Sequence, residues 1–126
     1  MTTVLDASAV LSLILGEPGS AVVARHLPDG CMSSVNYAET LGRLVLAGMP
    51  SERAHWIVER LQIRIVDFTS QQARVAADLH PRLQGLGLSL GDRACLSLAT
   101  LLDAPVVTAD RIWADADVDV EILVIR

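Results

Sequence analysis

The 126-residue sequence contains no lysine, and all ten of its basic residues are arginine. The absence of lysine excludes mechanisms that need its amine: phosphate binding by a P-loop lysine, Schiff-base chemistry and the phosphorylation switch of receiver domains. Aromatic residues make up only 3% of the chain, which argues against a surface that stacks the bases of single-stranded nucleic acid. The core must therefore be built from Leu, Val, Ile and Ala.

Cysteines and long apolar runs are equally scarce. Cys31 and Cys95 lie in apolar segments without the spacing of a metal site or a disulfide framework, so we expect them to be reduced core residues. No apolar run reaches the length of a membrane span, and the first residues lack the basic start of a secretion signal. The sequence thus predicts a cytoplasmic protein without a membrane segment.

The order of the apolar segments indicates how the chain folds. A length of 126 residues with 52% hydrophobic and 20% charged residues is typical of a single folded domain, which we expect to span residues 1–126. Short apolar strands alternate with helical patterns, which predicts an α/β protein with a parallel sheet. The predicted strands are Thr2–Asp6, Cys31–Ser33, Ile63–Phe68, Pro105–Thr108 and Glu121–Ile125. The predicted helices are Ser8–Leu15, Ser20–Leu27, Val35–Ala47, Ser51–Leu61, Ser70–Leu83 and Ser89–Leu102, with a helical turn at Asp110–Ala114.

Two of the predicted helices carry further local signals. Ser51 stands at the start of its helix and is predicted to cap it, because serine side chains accept hydrogen bonds from the first turn. In the third predicted helix, the spacing of Val35, Ala38, Gly42 and Val45 places these residues on one face.

Four acidic residues are predicted to gather at one edge of the sheet. Asp6 ends the first strand, Asp110 follows the fourth strand, and Asp92 lies in the first turn of a helix. Glu39 projects from the helix that follows the second strand. The carboxyl ends of parallel strands meet at the same edge, which is where such sheets bind ligands. The four side chains are therefore placed to converge.

Converging carboxylates repel one another, and a hard divalent cation relieves that repulsion. Mg²⁺ takes oxygen ligands, keeps several of its waters and needs only one or two direct carboxylates. A metal-bound water is more acidic and attacks a phosphodiester, while the metal neutralises charge on the phosphate. A ligand set without His or Cys favours Mg²⁺ or Mn²⁺ over Zn²⁺.

Each acid also has a purely structural interpretation. Asp6 and Asp110 are placed to cap the helical segments that follow them. Asp92 forms a capping-box pattern with Ser89, and Glu39 has an arginine four residues later, which is the spacing of a helix ion pair. A cap and a metal ligand occupy the same place in the chain, so the two roles are compatible.

Four segments of the chain surround the four acids. They are Val-Leu-Asp6-Ala-Ser8-Ala, Asn-Tyr-Ala-Glu39-Thr, Leu88-Ser-Leu-Gly-Asp92-Arg-Ala-Cys-Leu-Ser-Leu-Ala99 and Val107-Thr108-Ala-Asp110-Arg111. Together these segments resemble PIN-domain ribonucleases, and among these the VapC toxins of bacterial toxin–antitoxin pairs. The resemblance runs over nearly the full chain, with the order and spacing of the segments intact, and the ordered set is more specific than any one segment.

The resemblance implies a fold and an activity. The implied fold is a PIN-like three-layer α/β/α arrangement around a central parallel sheet of four to five strands. The implied activity is hydrolysis of RNA phosphodiester bonds by an endoribonuclease that depends on Mg²⁺ or Mn²⁺ and uses no nucleotide cofactor. The implied catalytic and metal-binding quartet is Asp6, Glu39, Asp92 and Asp110.

The resemblance also implies supporting residues and partners. Ser8 and Thr108 match polar positions that support the first and fourth acids. A fifth acid often follows the fourth, and of the three candidates Asp115, Asp117 and Asp119 we favour Asp115. The implied partners are an RNA substrate, a second copy of the chain in a homodimer, and a cognate VapB-type antitoxin whose C-terminal segment covers the active site.

The net charge of −5 is unusual for a protein that binds RNA. Six of the fifteen acids lie in residues 103–121 with a single arginine, and the rest of the chain is balanced. Arg43, Arg93 and Arg111 stand near the quartet in sequence, and the planar guanidinium suits phosphate. We expect Arg93 and Arg111 to contact RNA phosphates, and the alternative is that these arginines pair with the neighbouring acids.

Two other functions remain open on the sequence. A phosphatase with an aspartate nucleophile would commonly carry a second Asp two residues after the first, where this chain has Ser8, and it would need the missing lysine. A dimeric α/β binding module without catalysis would use the four acids only as helix caps and surface charges.

Overall fold

The structure, a computed structural model, describes the whole chain, Met1–Arg126. It contains five short strands, six helices and two 3-10 turns. The strands are β1 (Thr3–Leu5), β2 (Gly30–Ser33), β3 (Arg64–Val66), β4 (Val106–Thr108) and β5 (Ile122–Val124). The helices are α1 (Ala7–Leu15), α2 (Ser20–His26), α3 (Ser34–Leu46), α4 (Ser51–Arg60), α5 (Ser70–Leu79) and α6 (Leu90–Leu102), and the 3-10 turns are Pro81–Leu83 and Arg111–Asp115.

The five strands form one sheet in the order β3-β2-β1-β4-β5, and all four pairings are parallel. The chain moves outward from β1 to β3 and then returns to the other side of β1 at β4. The direction of winding therefore reverses between β1 and β4, and such a reversal opens a crevice at the carboxyl ends of the two strands. This confirms the predicted parallel α/β fold and fixes the number of strands at five.

Alternation along the strands divides the core between the two faces of the sheet. Val4 and Val106 pack with α6 and the fully buried Trp113, whereas Leu5 and Val107 pack with α1 and α2. Successive strand residues point to opposite faces, so every second residue enters the same layer. A third cluster joins α1 to the α3–α4 pair. Helices thus cover both faces of the sheet and leave its edge at the carboxyl ends of the strands for a site.

One helix end and one cap differ from the sequence prediction, and the other predicted boundaries lie within two residues of the observed ones. The helix predicted over Ser70–Leu83 ends at Leu79, and Pro81 starts a separate 3-10 turn. Proline has no N–H for the helix ladder, and its ring clashes with the preceding turn, so the helix does not pass through it. The predicted cap Ser51 is also wrong, because Pro50 holds the cap position and no side chain accepts a hydrogen bond there.

The buried face of helix α3 includes two polar side chains. Asn36, Thr40 and Leu44 form its buried face, whereas Val45 is 43% exposed. The apolar face noted from the sequence is therefore not the one that packs inward. Both cysteines are free and buried, as predicted. No single helix combines the length and apolar character that crossing a membrane requires, and only the bent pair α1–α2 meets these criteria jointly.

The turn before α2 supplies a stability prediction. Gly19 has a φ of +93°, and a Cβ there would lie 2.7 Å from Cγ1 and 2.8 Å from the backbone oxygen of Ile125. Gly48 has a φ of +104° with no atom near its Cβ position. Backbone strain of this kind costs about 1–3 kcal/mol, so we expect Gly48→Ala to lose that amount and Gly19→Ala to lose more. Denaturant unfolding of both variants measures the difference, and equal losses would mean that the Ile125 segment moves freely.

Candidate active site

A cavity of about 280 Å³ opens at the carboxyl edge of the sheet, where β1 and β4 lie side by side. All four acids predicted from the sequence line it, together with one arginine and three other polar side chains. Its lining residues are Asp6, Ala7, Ser8, Asn36, Glu39, Arg43, Ser89, Asp92 and Asp110. A larger depression of about 500 Å³ at the end of α4 contains only one acid, Glu59, and so lacks a comparable set of ligands.

Asp6 is the most buried of the four acids, with only 5% of its surface exposed. Its Oδ1 accepts a hydrogen bond from the Ala9 N–H at 2.8 Å, and its Oδ2 accepts one from the Thr108 hydroxyl at 2.7 Å. Burial raises the pKa of Asp6 to about 6 and outweighs these hydrogen bonds and the one from Ser8, which lower it. The charge of Asp92 raises this pKa further. The cavity therefore holds a carboxylate whose charge the protein alone does not fully stabilise.

Two hydroxyl groups join Asp6 to the chain beyond β4. Ser8 Oγ lies 2.8 Å from Asp6 Oδ1 and accepts a hydrogen bond from the Ala109 N–H at 2.9 Å. Thr108 Oγ1, which donates to Asp6, accepts from the Asp110 N–H at 3.1 Å. Both hydroxyls therefore fix the first acid relative to the segment that carries the fourth. These are the two polar positions that the sequence singled out.

Asp92 and Asp110 are held by the first turns of their own helical segments. Asp92 Oδ2 accepts from the Ser89 N–H at 2.9 Å, and Ser89 Oγ accepts from the Asp92 N–H at 3.2 Å, which completes a capping box. Asp110 Oδ1 accepts from the Ile112 N–H at 3.0 Å. The structural interpretation of these two residues, and of Asp6 as the cap of α1, is therefore correct. Each cap uses one oxygen of Asp92 or Asp110 and leaves the other without a protein donor.

Glu39 is held by a residue that the sequence analysis did not single out. The Asn36 side-chain amide donates to Glu39 Oε1 at 2.8 Å and to the Gly91 carbonyl at 3.0 Å. The ion pair that the structural interpretation assigned to Glu39 and Arg43 does not form. The three ion pairs of the structure involve only Arg82 and Arg126. A spacing of three residues on one helix was the available signal for the contact of Asn36 with Glu39.

The four carboxylates share a cavity but not a single close cluster. No three His, Cys, Asp or Glu side chains of the chain lie close enough together to hold a metal ion by themselves. The predicted crowding is thus looser than a closed metal cage, while the lining offers oxygen ligands and no His or Cys. Burial, followed by the charges of Asp6, Asp92 and Glu39 among others, raises the pKa of the Cys95 thiol, which marks this region as negative. These features fit a hydrated hard cation that keeps several waters.

None of the three candidates for a fifth acid lines the cavity. Asp117 and Asp119 lie 3.3 and 3.4 Å from the Arg82 guanidinium on the 3-10 turn after α5. Asp115, the favoured candidate, is exposed at the end of the second 3-10 turn. The three acids that follow Asp110 are therefore not part of the cavity lining.

The arginines near the quartet are not paired with acids. Arg43 lines the cavity, whereas Arg93 and Arg111 lie outside its lining. None of the three takes part in an ion pair, and Arg111 instead donates to the backbone oxygen of Arg126 at 3.0 Å. The structure therefore does not support the alternative, in which these arginines form ion pairs with the neighbouring acids.

Comparisons with known proteins identify a matching family and solved structures with a similar fold. The family model of the PIN domain matches residues 3–119. One similar structure is the VapBC2 complex from Rickettsia felis, which was solved bound to a promoter DNA fragment. A chain of this complex has a TM-score of 0.77 and 17% identity, and 98% of each chain is covered. VapC20 from Mycobacterium tuberculosis, a Sarcin-Ricin loop cleaving toxin, has a TM-score of 0.73 and 16% identity, with 95% of this chain and 99% of that chain covered. No curated protein sequence is significantly similar.

The burial of Asp6 supplies a pH prediction for the metal-free protein. Its pKa of about 6 in the folded state lies above the ordinary value of 3.8, so the folded protein binds this proton more tightly than the unfolded chain does. The contribution of Asp6 to stability is thus complete below pH 3.8 and is lost as the pH rises through about 6. Two pKa units correspond to about 3 kcal/mol at neutral pH.

Asp6→Asn removes the charge of the side chain and keeps its shape. The hydroxyls of Ser8 and Thr108 each retain a lone pair that accepts a hydrogen bond from the new amide. We expect the unfolding free energy of the variant, relative to wild type, to rise by up to about 3 kcal/mol between pH 4 and pH 7 in chelator. Denaturant titrations at the two pH values measure this difference. A variant that is less stable by the same amount at both values would contradict the prediction.

Proposed function

Because this chain belongs to the PIN domain family, we propose that it is a metal-dependent endoribonuclease of the VapC toxin type that hydrolyses RNA phosphodiester bonds. The observation that carries the proposal is the shared cavity of Asp6, Glu39, Asp92 and Asp110 at the switch point of the sheet. Four separate segments bring carboxylates there, and no local requirement for helix caps explains why they open onto one cavity. The whole chain, residues 1–126, acts in this proposal as one catalytic domain.

The proposed cofactor is Mg²⁺ or Mn²⁺, since PIN-domain nucleases generally use divalent metal ions. Asp6, Asp92, Asp110 and Glu39 would hold it, in part through its waters, as the loose spacing of the carboxylates requires. When bound, such an ion neutralises charge on the phosphodiester and makes a coordinated water more acidic. The protein's own contribution is to orient the carboxylates around the cavity.

Each proposed ligand has a partner that sets its orientation. Ser8 and Thr108 fix Asp6, while the first turns of α6 and of the 3-10 turn Arg111–Asp115 fix Asp92 and Asp110. Backbone N–H groups at a helix start also favour negative charge. Asp6, whose pKa the protein alone raises to about 6, would carry its charge at lower cost beside a bound cation.

The proposed substrate is RNA, with its phosphates bound by arginine. Arg43 lines the cavity and is free of ion pairs, so it is the arginine best placed for a phosphate next to the scissile bond. Arg93 and Arg111 would act further along the strand, outside the cavity lining. Asp115 remains a proposed accessory acid, although its exposed position gives it no contact with the cavity.

The proposed partners are a VapB-type antitoxin and a second copy of the chain, in the cytoplasm. Several structural neighbours were solved as toxin–antitoxin complexes, including those of Klebsiella pneumoniae and Haemophilus influenzae. VapC20 is a toxin that cleaves the sarcin–ricin loop, and this chain shares its fold. These likenesses support, for this chain, an activity that a partner must restrain.

A binding module without catalysis is the second candidate, because Asp6, Asp92 and Asp110 do cap helical segments. In that case their replacement by asparagine, which also caps helices well, would change no activity. A phosphatase with an aspartate nucleophile has less support. Ser8 occupies the position where such an enzyme has a second aspartate, and it donates a hydrogen bond to Asp6. The two experiments that follow separate the first two candidates.

We expect Asp6→Asn and Asp92→Asn each to reduce Mg²⁺-dependent cleavage of total RNA by roughly 100-fold, as loss of a charged group that stabilises the transition state does. Mapped cleavage ends in purified RNA give the rate. The matched control is Asp103→Asn, because Asp103 ends α6 outside the cavity in a left-handed conformation that asparagine tolerates. Cleavage that persists equally in all three variants would defeat the nuclease proposal or reveal a contaminating nuclease.

We also expect Mn²⁺ to raise the melting temperature of the wild-type protein. An ion that binds only the folded state at a hundredfold excess over its Kd contributes about 2.7 kcal/mol, which shifts the melting temperature of a domain of this size by several degrees. Asp92→Asn should lose most of this shift, and Asp103→Asn should keep it. A shift matched by sodium chloride of the same ionic strength would support caps alone.

A further inference from the structure

The way in which α3 meets α6 sets the position of Glu39. We propose that Asn36 and Gly91 are positioning residues that together hold the Glu39 carboxylate against the first turn of α6, beside Asp92. This inference rests on the proposed function, because it assigns to Asn36 and Gly91 a role in shaping the carboxylate cavity.

The direction of the Asn36 side chain is fixed by its two partners. Its amide nitrogen lies 2.8 Å from Glu39 Oε1 and 3.0 Å from the Gly91 carbonyl oxygen. Both partners accept hydrogen bonds only, so the opposite orientation of the amide would place oxygen against oxygen twice. Asn36 is therefore a bridge from the Glu39 side chain to the backbone of α6.

Asn36 is poorly suited to a purely structural role. It is 1% exposed, and its Oδ1 is buried without a hydrogen-bond partner. An unpaired buried acceptor lowers stability, so an apolar residue of similar size would serve the packing of α3 better. The part of the side chain that is satisfied is the part that holds Glu39.

Gly91 provides the surface on which the carboxylate rests. A Cβ at Gly91 would lie 2.5 Å from Glu39 Oε1, 2.6 Å from Cδ and 2.7 Å from Oε2. The backbone of Gly91 is helical with no positive φ, so the local conformation does not require glycine. Glycine in a helix is unfavourable relative to alanine. The space that it leaves is occupied by the carboxylate of Glu39.

These two contacts couple Glu39 to Asp92. Gly91 is the residue before Asp92, whose carboxylate is fixed in the capping box with Ser89. A side chain that is held on Gly91 is therefore held at a set distance from Asp92. The bridge therefore links two acids that are far apart in sequence and lie on different helices.

The test uses two variants and two matched controls. Asn36→Ala removes the bridge, and Gly91→Ala pushes the carboxylate away from α6. Thr40→Val removes another buried hydrogen bond of α3, from Thr40 to the Asn36 backbone oxygen. Gly42→Ala adds a methyl group to a glycine of α3 that has no atom within 4 Å of its Cβ position. Mn²⁺ affinity by titration calorimetry and RNA cleavage rate are measured for all four.

We expect Asn36→Ala and Gly91→Ala each to weaken Mn²⁺ binding and slow cleavage by roughly tenfold, the factor for loss of one hydrogen bond to a charged group. Both controls should stay within about twofold of wild type, as substitutions away from such contacts do. Gly91→Ala should not lower the melting temperature, because only the flexible end of Glu39 has to move. It keeps the inference testable if Asn36→Ala is too unstable to fold.

A double-mutant cycle distinguishes positioning through Glu39 from a general disturbance. In a Glu39→Ala background, Asn36→Ala and Gly91→Ala should cause no further loss of Mn²⁺ affinity, because the group they position is gone. Affinity is the appropriate readout, since cleavage itself falls with Glu39. Losses that simply add would overturn the inference.

The wild-type protein separates this inference from the proposed function. A wild type that neither binds Mn²⁺ nor cleaves RNA would overturn the proposed function and the inference with it. A wild type that does both, with Asn36→Ala and Gly91→Ala indistinguishable from their controls, would overturn the inference and leave the proposed function in place.

Discussion

The carboxylate buried at the end of β1 is the constraint on which the rest of the site depends. Asp6 is almost fully enclosed, and hydrogen bonds from a helix start and two hydroxyls do not fully offset the loss of water around its charge. This loss of water accounts for the hydrogen-bond donors around Asp6. Ser8 and Thr108 turn their hydroxyls toward it, and the segment that carries Asp110 is tied to it through them. Such an arrangement is stable at neutral pH when a positive charge is added, which is the role of the proposed cation.

Capping and the proposed metal binding would use the same geometry in this chain. A parallel strand that ends at the sheet edge is followed by a helix start, whose free N–H groups attract a carboxylate. One oxygen of Asp92 or Asp110 satisfies those groups, and the other is left for a ligand in the cavity. The caps are therefore the means by which the chain orients its acids, rather than evidence against a catalytic role.

The sequence predicted the features that depend on local signals. The strands, most helices, the parallel sheet and the identity of the four acids around the cavity follow from periodicity and from acids after strand ends. The contact of Asn36 with Glu39 had a local signal in the three-residue spacing, whereas its contact with Gly91, 55 residues away, depends on how α3 packs against α6 and was not predictable. The buried face of α3 was missed for the same reason. The break at Pro81, in contrast, had a local signal in the proline itself.

The net negative charge of the chain can be interpreted from the positions of its charged residues in the structure. Asp117 and Asp119 share one guanidinium, that of Arg82, and lie outside the cavity lining, so Asp110 is the one acid of residues 103–121 that lines the cavity. Arg43 stands at the cavity without an acidic partner. Because the chain has a net charge of −5, its long-range attraction to the proposed RNA substrate would be weak, and recognition would come from contacts around the cavity. A nuclease of the proposed kind would therefore select its RNA by the fit of this one site rather than by general attraction to phosphate.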